Sequence, residues 1–265
     1  MSDEPFEVLV EKAAELVFNS NRIVIFTGAG VSTESGIPDF RSPGGIWSKY
    51  DPDLFTLQRF LYDEDARKVH WKALLQDDFI PHTGVSPNAA HYAGAELEKM
   101  GKLGCVVTQN VDGLHEEAGN TPDLVFHLHG TLERAICIEC RETYPMDEIR
   151  GLMSRGVEVP ECDKCGALLK PDAVFFGEAL PEKVLSEAER RARECDLCIV
   201  IGSSLVVYPA ALIPRYAVQS GASLVIINRD STDLDRQAQV CIHEGAGDTM
   251  IRIMERVKEK IQSTQ

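Results

Sequence analysis

The stretch Gly28-Ala29-Gly30-Val31-Ser32-Thr33-Glu34-Ser35-Gly36-Ile37-Pro38-Asp39-Phe40-Arg41 joins a phosphate-type loop to groups that do chemistry. It follows the apolar run Arg22 to Thr27. A strand that ends in Gly-x-Gly presents backbone N–H groups to a phosphate, because glycine lets the chain approach closely. The usual dinucleotide fingerprint has a further glycine where this chain has Thr33, so this is not a standard dehydrogenase loop. Pro38, Asp39, Phe40 and Arg41 add a stiff turn, an acid, a ring and a cation directly beyond it. A nucleotide loop that carries such groups suggests that the nucleotide is consumed and not merely held.

Four other polar clusters follow apolar runs. Gln109, Asn110 and Asp112, around Val111, fit a carboxamide and ribose hydroxyls. An Asx turn capping a helix would use the same residue types; the run of three favours a site. His129 precedes Gly130 at a strand end, where a lone histidine is more often structural than catalytic; its place near a nucleotide, with no other nucleophile in view, makes it the candidate general base. His127 lies on the same face if the segment is a strand and competes with it, as a base or as a partner. His115 is a weaker third, and His70, His82, His91 and His243 have no polar company that suggests chemistry. Gly202-Ser203-Ser204 fits a phosphate and Asn228-Arg229-Asp230 an adenosine ribose. Val174-Phe175-Phe176-Gly177-Glu178 could pair its backbone with an extended peptide, or serve equally well as a core segment.

Cys137-x2-Cys140 and Cys162-x2-Cys165 offer two thiolates each from tight turns, which together close a tetrahedral zinc shell. Four thiolates complete the shell, so the zinc is structural. Cys105, Cys195, Cys198 and Cys241 lie in or beside apolar runs and read as small buried hydrophobes.

The order of elements that must position these groups is helix, apolar strand, polar loop. Helices are expected at 6–18, 89–100, 182–194, near 209–219 and at 248–261. Strands are expected at 22–27, 105–108, 124–128, 197–201 and 223–227. This alternation is that of an α/β, doubly wound parallel sheet, which binds ligands at strand C-terminal ends. Residues 42–85 interrupt it with turns and short, aromatic-rich helical segments, and 131–170 form the zinc module.

The chain has 265 residues, 44% hydrophobic and 26% charged, in the range of globular proteins. No apolar run reaches transmembrane length, and Met1-Ser2-Asp3-Glu4 lacks a signal-peptide pattern. A cytoplasmic location is expected. The net charge of −15 argues against nucleic acid or an anionic membrane as a general partner.

The chain resembles the sirtuins, NAD-dependent protein-lysine deacylases. The matching stretches are Gly28 to Arg41, Thr108 to His115, His129-Gly130, the four paired cysteines, Val174 to Glu178, Gly202 to Pro209, and Asn228. The resemblance implies a Rossmann-like NAD-binding domain from 1–41, 86–130 and 171–265, and a small domain from 42–85 and 131–170. It implies one structural zinc, and NAD as a co-substrate: the acyl oxygen attacks the nicotinamide ribose, nicotinamide leaves, and acyl-ADP-ribose and free lysine result. By resemblance His129 is the base, Asn110 orients a ribose hydroxyl or a water, and Asp112 grips the carboxamide with backbone near Ile37. Phe40 covers the reacting centre. Gly28, Ala29, Gly30, Ser35, Asp39, Arg41, Gln109, Val111, Gly202, Ser203, Ser204, Asn228, Arg229, Asp230 and Ala246 complete the NAD site. Val174 to Glu178 and Val206 meet an acetyl-lysine peptide, the Val174 carbonyl accepting the acyl-lysine amide N–H. Trp71-Lys72-Ala73-Leu74 stands where sirtuins that take malonyl or succinyl groups have Tyr-x-x-Arg, which implies neutral acyl groups, acetyl first. His127 stands where many sirtuins have Glu. A monomer is expected. An ADP-ribosyltransferase, a nucleic-acid-binding zinc module and an NAD-linked dehydrogenase are the competing readings.

Overall fold

In the computed structural model, residues 4–75, 81 and 84–264 are described; His82 and parts of the expected 42–85 insertion lie outside these. The strand β1 (Ile23–Thr27) is buried at all five positions, so it needs cover on both faces. It runs at the centre of a six-stranded parallel sheet. On one side it pairs with β2 (Leu103–Thr108), which in turn pairs with β3 (Val125–His127). The antiparallel strands β4 (Gly130–Cys137), β5 (Thr143–Pro145) and β6 (Leu169–Ala173) form a second, smaller sheet. The large sheet continues with β7 (Leu197–Ile201), β8 (Ser223–Ile227) and β9 (Val240–Ile242), giving the order β3-β2-β1-β7-β8-β9. The strand order reverses between β1 and β7, where doubly wound sheets open a crevice.

Alternate strand residues face opposite helical layers. Ile23, Ile25, Val106, Ile199 and Val225 pack with α1 (Phe6–Asn19), α4 (Ala89–Lys99) and α9 (Ala246–Thr264). Val24, Phe26, Val107, Val200 and Ile226 pack with α7 (Glu182–Glu194) and α8 (Leu212–Gln219). A third apolar cluster joins Phe60 of α2 (Leu57–Tyr62) and Trp71 of α3 (Glu64–Leu75) to Ile149 of α6 (Met146–Ser154), Leu169 and Phe175. The two interruptions of the sheet therefore share one core. The one-turn α5 (Leu114–Glu117) lies at the end of β2.

The sequence expectations differ from the fold at short elements. Strands β5 and β9 have three residues each, too few for a period to declare itself. The loop after Gly28 winds into a 3-10 helix over Ala29–Ser35.

Candidate active site

The loops after β1 and β7 touch. The Gly28 N–H donates to the Ile201 carbonyl at 3.1 Å and the Gly30 N–H to the Gly202 carbonyl at 2.9 Å. A Cβ on Gly30 would lie 2.8 Å from the Gly202 Cα, and one on Gly202, whose φ is +62°, would collide with the Val31 nitrogen. These glycines are thus needed for contact between two loops, and the Gly30 N–H serves that contact.

A cavity of about 450 Å³ opens there. One wall is the Gly28 loop with Gly202 to Ser204; another is Val174 to Glu178; Asn228 and Asp230 line it too. Gln109, Asn110, Asp112 and His129 meet in it. Gln109 donates from Nε2 to the Ser203 hydroxyl at 2.9 Å, which ties β2 to the β7 loop. Asn110 donates from Nδ2 to the Ser32 hydroxyl at 3.0 Å, and Ser32 donates to the Asp112 carboxylate at 2.7 Å. Ser32 therefore fixes both acidic and amide side chains from the glycine loop.

His129 stands in the turn between β3 and β4. A Cβ on Gly130, at φ +74°, would collide with the Asp172 carbonyl, so glycine lets β6 pass directly beneath the histidine. His129 Nδ1 lies 2.9 Å from the Gln109 carbonyl oxygen. A carbonyl only accepts, so Nδ1 carries the proton and Nε2 keeps its lone pair. Burial lowers the pKa of His129 from its usual value, and the Gln109 carbonyl offsets that only in part. The imidazole is neutral and ready to accept a proton.

His127 does not share this cavity. Strand β3 ends at His127, and a turn at Leu128 and His129 breaks the alternation that would have put both rings on one face. Its Nε2 meets Glu116 at 2.6 Å. Burial pulls its pKa down, but the Glu116 hydrogen bond and charge outweigh it, and the pKa is raised. His115 is buried under the site with Nε2 3.1 Å from the Thr27 hydroxyl; burial and the neighbouring His91 and His127 hold it neutral, well below its usual pKa.

The four paired cysteines converge. Their sulfurs lie within 4.8 Å of one another, with Cys137 to Cys165 at 3.5 Å and Cys140 to Cys162 at 3.6 Å. A tetrahedron of Zn–S bonds of ~2.3 Å has edges of roughly 3.8 Å, so the set fits zinc.

The family model described as the Sir2 family matches residues 28–209. The chain belongs to the Sir2 family. It is 43% identical to the NAD-dependent protein deacetylase of Thermodesulfovibrio yellowstonii, over 97% of this chain and 99% of the relative. A solved Sir2 enzyme, described for the mechanism and regulation of Sir2 enzymes, superposes with a TM-score of 0.86 at 42% identity, covering 96% of this chain and 99% of that one. A Sir2 complex with deacetylated p53 peptide and 3'-O-acetyl ADP-ribose superposes with a TM-score of 0.83 at 38% identity, covering 93% and 97%.

Most residues that the sirtuin resemblance assigned to NAD and peptide line the Sir2 cavity, including Ala29, Ile37, Asp39, Phe40, Arg41, Val111, Phe175, Phe176, Gly177 and Val206. Ser35, Arg229 and Ala246 are not in the lining. The Ser35 hydroxyl accepts from Asn88, the cap of α4. Arg229 is exposed beyond β8, and Ala246 is buried in the core at the start of α9. Asp39 lines the cavity, but its carboxylate accepts from the Arg41 and Ser42 N–H groups and so shapes its own turn. Among the histidines set aside, His91 reaches Ser32 at 3.4 Å and His70 lines the cavity. His70 and Leu74 sit one turn apart on α3, a spacing that marks a shared face. Ser32 carried no signal beyond its place in the loop.

Proposed function

We propose that NAD and an acetyl-lysine peptide meet in this cavity. The protein is an NAD-dependent protein-lysine deacetylase. It moves the acetyl group to ADP-ribose and releases nicotinamide and O-acetyl-ADP-ribose. One observation carries the assignment of roles: the glycine loops at the strand-order reversal and the Val174–Glu178 segment line one cavity that also holds His129. A nucleotide and a peptide can thus reach the same base.

The residue chemistry suits this reaction. NAD supplies the electrophilic ribose carbon and the nicotinamide leaving group. Asp112, held by Ser32, receives the carboxamide with backbone near Ile37. Asn110 orients a ribose hydroxyl or a water. Phe40, packed 5.2 Å from Trp47, screens the cationic centre from water, which would otherwise trap it. Neutral His129 takes a ribose hydroxyl proton after the first attack. The phosphates and adenosine lie along Gly28 to Gly30, Arg41, Gln109, Gly202 to Ser204, Asn228 and Asp230. Val174 accepts the acyl-lysine amide N–H, with Phe175 to Glu178 and Val206 beside it.

Residues 42–85 and 131–170 act as one small domain against the sheet, a division supported by their shared apolar cluster. One zinc at the four cysteines holds its outer end. The reading includes a monomer in the cytoplasm; that compartment accords with four cysteines clustered as a metal-binding set and four others in or beside apolar segments, a cysteine usage of reducing surroundings. The charge of −15 disfavours nucleic acid and anionic membrane as partners.

The test follows peptide mass and free nicotinamide together, with NAD and an acetyl-lysine peptide, for the native protein and His129→Ala. Loss of the acetyl mass with matching nicotinamide, absent in the variant, is expected. Nicotinamide release with an unchanged peptide would refute acetyl transfer and favour ADP-ribosylation.

A further inference from the structure

Lys170 is a lysine in an unusual place. Its side chain is 5% exposed, inside β6 and under the wall of the cavity. An ammonium has three N–H donors, and burial without partners would be costly. All three find oxygen: the Ala173 carbonyl at 2.7 Å, the Pro171 carbonyl at 3.1 Å and the Glu178 carboxylate at 3.2 Å. The ammonium also lies 4.8 Å from the centre of the Phe175 ring. The same Glu178 oxygen accepts the Phe175 N–H at 3.0 Å, and the Glu178 N–H closes the turn on the Phe175 carbonyl at 3.0 Å.

These bonds enclose the segment Ala173 to Glu178 from beneath. The segment is also tied to its surroundings: the Val174 N–H donates to the His129 carbonyl at 2.8 Å, and Phe176 pairs through its backbone with Phe55 and Leu57. Its outward side lines the cavity. We infer that Lys170 is a positioning residue that, through Glu178 and the Ala173 carbonyl, holds the Val174–Glu178 turn in the shape that pairs with the acyl-lysine peptide. The inference rests on the reading of Val174–Glu178 as the peptide-binding segment. The physical reason is preorganisation: a turn already fixed by a buried charge does not have to be ordered when the peptide arrives. Lys170 touches neither substrate in this arrangement; it acts through the turn.

The experiment measures KM for NAD and for an acetyl-lysine peptide in the native protein, Lys170→Met and Glu178→Leu. A second peptide carries N-methyl groups on the backbone amides flanking the acetyl-lysine. In the native protein the methylated peptide should lose about tenfold in affinity, since its pairing N–H groups are gone. Lys170→Met should raise KM for the plain peptide about tenfold, with KM for NAD within about twofold. The methylation penalty should then shrink, because the turn is no longer set to pair; a general loss of stability would leave that penalty unchanged. Glu178→Leu removes the same clamp from its other end and gives the same pattern, which keeps the test usable if one variant folds poorly. An unchanged peptide KM in both variants, or an undiminished methylation penalty, would overturn the role of Lys170. A methylated peptide that binds the native protein as well as the plain one would instead refute the peptide-binding reading of the segment.

Discussion

The His129 Nδ1 and the Gln109 carbonyl oxygen are 2.9 Å apart. That one bond joins the turn after β3 to the loop after β2 and decides which ring nitrogen remains basic. Because burial lowers the His129 pKa, the ring stays neutral below its usual titration range. The acid limb of the pH dependence of deacetylation is therefore expected below ~6.5, the ordinary histidine value. A profile of kcat/KM against pH checks this, and His129→Ala should cost on the order of 10² to 10⁴ in rate.

His127 behaves in the opposite sense. Its folded pKa is raised by Glu116. The pair then stabilises the fold fully below the unfolded value of ~6.5, and that contribution is lost as pH rises through the folded pKa. Glu116→Gln should destabilise the protein by about 1 kcal/mol or less at about pH 6, and by less at about pH 9. Denaturant titrations at the two pH values read the difference, and an NMR titration of His127 reads its cause.

Gly202→Ala should abolish NAD binding without unfolding the sheet. Its Cβ would drive the β7 loop off the Gly28 loop at the crevice where the phosphates are expected. Calorimetry of NAD binding, with circular dichroism on the same sample, separates the two effects.

Removal of zinc should loosen the smaller sheet first. Cys137 and Leu169 are register partners on β4 and β6, so loss of the metal cross-link would loosen the strand that leads to Val174–Glu178, the segment proposed to bind the peptide. One zinc per chain is expected by elemental analysis. A strong chelator or Cys162→Ser should lower the melting temperature and raise protease sensitivity within 131–170.

Acyl preference should follow Leu74. This residue and Phe55 line the cavity, while Trp71 is fully buried in the core. Burial and Lys170 push His70 down to about 3, so that ring is uncharged. Among the described residues, Leu74, Phe55 and the uncharged His70 offer no cation to a carboxylate on the acyl group, and Lys170 is already engaged by Glu178, so acetyl should be preferred to succinyl. Leu74→Arg should raise the succinyl-to-acetyl activity ratio about tenfold or more, measured on matched peptides.

Much of this was legible in the chain because the signals are local. Apolar runs of strand length followed by glycine or amide clusters gave the doubly wound sheet, and the two Cys-x2-Cys pairs gave the metal cluster. The polar groups of the site sit at strand ends, where such a sheet must bind its ligand. What the chain alone could not declare depended on elements distant in sequence. His70 and Lys170 look like ordinary helix and strand residues until α3 and β6 pack on the same core. Ser32 becomes the holder of Asn110 and Asp112 only when β1 and β2 lie side by side. The different fates of His127 and His129 follow from one turn that ends β3, a break that a two-residue spacing cannot reveal. Residue type and local period thus determined the sheet, the metal ligands and the candidate base. Burial, tautomer and hydrogen-bond partner were decided by the tertiary structure, because each depends on which chain segments exclude water together.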